Sequence, residues 1–148
     1  MTIQACRLQN AAWPTILCID DDPQIAETIA LRLNQYEVNM LSACHGMHGF
    51  WLAMTNRPNV IVTDVGMPQG GGEYVVDCLR HNSDTHDIPI IVLTGRRDSQ
   101  LESRLRHGGA NEFLTKPVHF DRLRETLLKY IPLADRTWNE ARTMVQRT

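Results

Sequence analysis

The chain has 148 residues, 43% of them hydrophobic and 22% charged, with a formal net charge of −2. That composition belongs to a folded domain and excludes a disordered chain, and the length suits one domain with a single core. So weak a net charge supplies no basic field for direct nucleic-acid binding, and the apolar runs are far too short to span a membrane.

The opening fourteen residues, MTIQACRLQNAAWP, contain no apolar stretch of signal-peptide length, which points to a cytoplasmic protein. Four scattered cysteines (Cys6, Cys18, Cys44 and Cys78) include no CxxC pair and read as reduced, buried thiols. The first strand is expected over 16–20 (ILCID), and three carboxylates, Asp20, Asp21 and Asp22, close it without a break. Adjacent carboxylates repel one another and resist leaving water, so a positive group must meet them. Asp22 also suits the N-cap of a helix over 23–35, with Pro23 at its first position and Ile25, Ile29 and Leu33 on one face.

A second strand is expected over 37–43. Beyond it Met47, Phe50, Trp51 and Met54 repeat at helical spacing, a stripe expected to face the core. Cys44, His45 and His48 lack the fourth ligand that a structural zinc site wants. The third strand, 60–63 (VIVT), is apolar on successive residues, as a strand covered on both faces should be. Asp64 follows it, and then VGMPQGGG, where Pro68 and Gly70–Gly72 suggest a turn that keeps the backbone close to Asp64 and is unusually mobile.

A helix over 73–82 contains Cys78, and the fourth strand, 89–93, leads into Thr94-Gly95. The helix over 97–107 ends at Gly108-Gly109. The cluster Arg96, Arg97, Arg104 and Arg106 reads either as a solvated face or as an interface, where arginine is enriched. The fifth strand, 111–114, is followed by Lys116-Pro117. Phe120, Leu123, Leu127 and Ile131 then mark a fifth helix that Pro132 ends. The tail, 132–148, is a linker or a short helix with Trp138, Ala141 and Val145 on one face; it is too short for an effector domain.

Strands alternating with helices predict a doubly wound α/β domain with a parallel sheet, whose ligands bind beyond the carboxyl ends of the strands. Asp20–Asp22, Asp64, Thr94 and Lys116 all fall at such ends. Mg²⁺ suits a site of this kind, since it takes carboxylate oxygens and water. A carboxylate can attack phosphorus only where metal and ammonium neutralise the phosphoryl oxygens.

The ordered set ILCIDDD, VIVTDVGMP, IIVLTG and FLTKP resembles the receiver domain of bacterial two-component response regulators, over about residues 15–131. The resemblance implies a flavodoxin-like sheet of five parallel strands in order 2-1-3-4-5 with five helices. It implies that Asp64 accepts a phosphoryl group from a sensor histidine kinase or phosphotransfer protein. Asp20 and Asp21 would hold Mg²⁺ together with Asp64 and the backbone carbonyl of Gly66. Thr94 and Lys116 would contact the phosphoryl oxygens, and Phe113 would be the aromatic switch. A homodimer or effector contact would use the fourth helix, fifth strand and fifth helix. The implied chemistry is self-phosphorylation and dephosphorylation, not turnover of a substrate. Two rivals stand beside it: a Mg²⁺-dependent phosphatase with an aspartate nucleophile in the DDD run, and a pseudo-receiver that only binds partners. The expected organisation is an extension (1–14), a receiver (15–131) and the tail (132–148).

Overall fold

The structure, a computed structural model, describes residues 10–66, 71–95 and 98–136. In chain order the elements are β1 (Thr15–Ile19), α1 (Pro23–Leu33), β2 (Asn39–Ala43), α2 (Gly46–Asn56), β3 (Val60–Asp64), α3 (Gly72–Arg80), β4 (Ile90–Thr94), α4 (Ser99–His107), β5 (Glu112–Thr115) and α5 (Phe120–Leu127). The strands form one parallel sheet in the order β2-β1-β3-β4-β5. This is the doubly wound, flavodoxin-like arrangement. No helix among the described residues is long and apolar enough to cross a membrane.

Alternation along the strands sorts the core into two layers. Ile16, Cys18, Val60, Val62, Ile91, Leu93 and Leu114 meet α1 and α5 through Ile29, Leu33, Leu123 and Leu127. Leu17, Ile19, Ile61, Ile90 and Val92 meet α2, α3 and α4 through Ala53, Val75, Val76, Leu79 and Leu105. Both faces of the central strands are therefore dry, which is why β3 is buried at every position and reads as an unbroken apolar run. The Asp22 side chain caps α1 by accepting the Gln24 N–H at 3.0 Å, as the sequence suggested.

Several expectations need correcting. On α2 the buried residues are Gly46, Gly49 and Ala53, while Met47 and Trp51 are 51% and 56% exposed. Gly49 lies so close to Ile19 that a Cβ there would collide with it. The helix thus approaches the sheet on its small residues, keeps Phe50 and Leu52 partly buried against the core, and turns Met47 and Trp51 outward. Cys18 is buried, but Cys44 is exposed and Cys78 only half-buried. The fifth helix stops at Leu127, not Ile131. The chain then tightens through turns in which Tyr130 N–H donates to Leu127 O and Lys129 N–H to Thr126 O, and these still deliver Ile131 to the core.

After Pro132 the chain docks against the corner between α1 and β2. Glu37 N–H donates to Ala134 O and Arg136 N–H to Gln35 O, both at 2.8 Å, around an antiparallel Tyr36–Asp135 bridge. The Arg136 guanidinium lies 4.7 Å from the Trp13 ring centroid, and Asn39 ties back to Asn10 and Trp13 by side-chain hydrogen bonds. The expected tail helix with Trp138, Ala141 and Val145, the Met67-Pro68 turn and the pair Arg96-Arg97 lie outside the described residues.

Candidate functional site

Asp20, Asp64 and Lys116 reach the carboxyl rim of the sheet on one side. Each follows by two residues a side chain of the α1–α5 layer: Cys18, Val62 and Leu114. Strand alternation then points all three the same way. The Lys116 Nζ lies 2.9 Å from Asp20 Oδ2 and 3.2 Å from Asp64 Oδ1. Asp20 is fully buried at its side chain, Asp64 nearly so, and Lys116 about a quarter exposed. Asp20 Oδ1 accepts the backbone N–H of Asp22 at 2.9 Å, so both Asp20 oxygens are engaged. Asp21 is exposed, yet one oxygen from each of Asp20, Asp21 and Asp64 falls within 4.8 Å of the others.

Burial pushes the Asp20 carboxyl above its ordinary value, and the charge on Asp64 adds to this; the Asp22 N–H and Lys116 only partly offset it. Burial alone would lower the Lys116 ammonium, but its hydrogen bonds to Asp20 and Asp64 win and raise it. Desolvation, reinforced by Asp20, pushes the neighbouring Cys18 thiol up to about 12, which leaves it a neutral core group. One ammonium against three carboxylates leaves the cluster short of positive charge. Oxygen donors so gathered could hold a metal ion, and their hardness fits a cation such as Mg²⁺.

The raised Asp20 carboxyl has a measurable sign. As pH rises past 3.8, an unfolded aspartate loses its proton while folded Asp20 retains it. Its contribution to stability is therefore present at low pH and lost as pH rises through the folded value. Without metal, the stability of wild type minus Asp20→Asn is expected to fall as pH rises above about 3.8. Urea melts across that range check it, and a difference that rises with pH would contradict it.

The Asp64 oxygen not held by Lys116 is Oδ2. Exposed Gly66 stands beside it, where a Cβ would lie 3.8 Å away. A Cβ on Gly95 would meet nothing within 4 Å. Neither position crowds the rim. Gly72, in the first turn of α3, is the reverse: a Cβ there would sit 2.7 Å from Asp64 O and from Val65 Cα. Backbone cannot yield as a side-chain tip can. Gly72→Ala is expected to cost about 1–3 kcal/mol and to displace the Asp64 backbone. A drop in urea midpoint would show it, and an unchanged midpoint would refute it.

Thr94 and Phe113 occupy the other face. Thr94 follows Val92 by two residues, and Val92 pairs with Phe113 across β4 and β5, so the two share a side of the sheet as diagonal neighbours. Both are half-buried. The backbone also links them to the site, since Lys116 N–H donates to Thr94 O at 2.8 Å.

Of the other residues singled out, Asp22 serves as a cap. His45 caps α2 by accepting the His48 N–H at 3.2 Å, with the two rings 5.7 Å apart. The acid set is the only metal-suited cluster of three or more His, Cys, Asp or Glu side chains among the described residues, and Cys44, His45 and His48 do not form one. The arginines of α4 separate. Arg104 bonds Glu73 of α3 at 3.0 Å, whereas Arg106 lies over Phe113 at 4.5 Å. No sequence signal announced that second contact, because it joins two elements through space.

The family model for the response regulator receiver domain matches residues 16–128. The chain is similar to the DNA-binding dual master transcriptional regulator RpaA of Synechocystis, at 35% identity over 110 residues, which are 74% of this chain and 46% of that protein. It is similar to Protein PilH of Pseudomonas aeruginosa at 32% identity over 116 residues, covering 78% of this chain and 93% of that protein. It thus spans less than half the length of RpaA and nearly all of PilH. Among solved structures, the Vibrio cholerae chemotaxis protein CheY4 matches with a TM-score of 0.76 at 27% identity, covering 81% of this chain and 100% of that one. The receiver domain of Francisella response regulator 1452 matches at 0.71 and 28% identity, covering 78% and 94%. With the family's pattern running through its whole sheet and all five helices, this chain belongs to the response regulator receiver domains.

Proposed function

We propose that the domain accepts a phosphoryl group on Asp64 from a sensor histidine kinase or phosphotransfer protein, and thereby switches a protein-interaction face. The carrying observation is the geometry of Asp64. One of its oxygens is held by Lys116, and beyond the strand end Gly66 brings no side chain against either oxygen, a Cβ there lying 3.8 Å from Oδ2 and 4.0 Å from Oδ1. In the reaction, Oδ2 forms a bond to phosphorus while the bond from phosphorus to the donor breaks and its electron pair leaves with the donor. The product is an acyl phosphate on Asp64. Lys116 donates hydrogen bonds to the phosphoryl oxygens, and the Thr94 hydroxyl contacts them.

Asp20, Asp21, Asp64 and the Gly66 carbonyl would hold Mg²⁺, which would neutralise phosphoryl charge when bound. The chemistry ends with the domain's own phosphate, which water later removes. Residues 15–131 form the receiver, with 1–14 as an extension and 132–148 as a tail, acting in the cytoplasm. The face of α4, β5 and α5 meets a second copy or an effector. A phosphatase built on the DDD run is disfavoured, because Asp20 is buried with both oxygens already engaged. A pseudo-receiver is disfavoured by the complete acid and lysine set.

The test is incubation with acetyl phosphate and Mg²⁺, read by intact mass. One added phosphoryl group, released by hydroxylamine, is expected. No added mass would overturn the proposal, and steady turnover of p-nitrophenyl phosphate would favour the phosphatase.

A further inference from the structure

Arg106 sits on the last turn of α4 with its guanidinium 4.5 Å from the centroid of the Phe113 ring. Its side chain is about half exposed, and so is that of its partner Glu102. Arg106 Nε and Nη2 both donate to Glu102 Oε1 one turn earlier, at 3.3 and 3.1 Å, which biases the guanidinium toward its own helix. Beneath it the ring is half-buried against the α2–α4 layer and shares its side of the sheet with Thr94. Arg104, two residues earlier, serves another end by bracing α4 to Glu73 of α3. Two arginines that the sequence groups together therefore act on different neighbours.

We propose that Arg106 is a latch on Phe113: it holds the ring at the surface between α4 and β5, and so sets how much phosphorylation is needed to turn the ring inward. The proposal rests on the reading of Thr94 and Phe113 as the switch. A ligand or side chain shifts a two-state equilibrium only through contacts that differ between the states. The cation–ring contact is such a difference. Arg106 is tied to Glu102 on α4 and cannot follow a ring that turns toward Thr94, so the contact exists in one state and is lost in the other. Arg106 is thus a positioning residue, and it acts before any phosphate arrives.

At a half-exposed site a contact of this kind is worth roughly a two- to five-fold bias in the equilibrium. Its removal should multiply the inward population by that factor while the ring remains mostly outward. By linkage, a phosphoryl mimic that favours the inward state should bind more tightly by the same factor.

The experiment labels phenylalanine rings with ¹³C in the full chain and follows the Phe113 resonance in wild type, Arg106→Gln and Arg106→Lys. Each is recorded alone and at saturating beryllofluoride with Mg²⁺. In the free Arg106→Gln protein the Phe113 resonance is expected to move along the line toward its saturated position. Half-saturation should come at two- to five-fold lower beryllofluoride, roughly, with Arg106→Lys in between. A purely structural role would not move a resonance along that line. If the wild-type resonance responds to beryllofluoride but Arg106→Gln changes neither its free position nor its affinity, the latch is wrong and the switch stands. If the wild-type resonance does not respond at all, the switch fails and takes the latch with it.

Discussion

Asp64→Asn is expected to abolish covalent phosphorylation while leaving the fold in place. The amide has nearly the shape of the carboxylate but lacks the anionic oxygen that must attack phosphorus, so no acyl phosphate can form on it. Lys116 keeps its 2.9 Å bond to Asp20, and the loss of one negative charge from the cluster removes repulsion instead of adding strain. The apo melting temperature should therefore hold or rise. The measurement is intact mass after acetyl phosphate and Mg²⁺, beside a thermal melt. An unchanged label would move the acceptor to another carboxylate, with exposed Asp21 the first to examine, and a collapsed melt would make Asp64 structural instead.

Arg80→Ala is expected to be the most damaging truncation of a charged side chain away from the site. Arg80 closes α3 and spends its five N–H donors on the amino-terminal edge of the sheet. Two go to Gly109 O at 3.0 and 2.8 Å, one each to His86 O and Ile88 O at 3.0 and 2.7 Å, and one to Asn111 Oδ1 at 3.0 Å. Burial lowers its pKa, yet the guanidinium stays charged because its ordinary value is so high. Gly109 holds a φ of +113°, and a Cβ there would strike the Arg80 side chain. The loop after α4 has thus been shaped around this arginine. Truncation strands several carbonyls that water reaches only in part, a cost of about 2–4 kcal/mol. Arg80→Lys should recover less than half, since an ammonium has three donors and no planar fork. Urea unfolding should show a lower midpoint at unchanged slope, while phosphoryl labelling under native conditions persists. A midpoint within error of wild type would refute the clamp.

What the sequence determined by itself was the local grammar and the chemistry at the strand ends. Unbroken apolar runs such as VIV and IIVL announced strands covered on both faces, and Asp22-Pro23 announced the start of α1. These signals are legible because periodicity and capping involve residues within one or two turns of each other. Acids and a lysine at successive strand ends also pointed to one rim, since a parallel sheet carries all its carboxyl ends to one side. The tertiary structure decided matters that depend on distances between elements. The stripe of Met47, Phe50, Trp51 and Met54 looked like core, but Gly46, Gly49 and Ala53 let α2 approach Ile19, and while Phe50 still packs inward, Met47 and Trp51 turn to solvent. Asp20, Asp64 and Lys116 share one face of the sheet and Thr94 and Phe113 the other, a division set by register across strands far apart in the chain. Arg80, Arg106 and Arg136 are the same residue type with three different roles. One clamps a sheet edge, one covers a ring and one pins residues beyond α5 against Trp13. A long cation takes its role from whatever the fold places within its reach, and that information is not local.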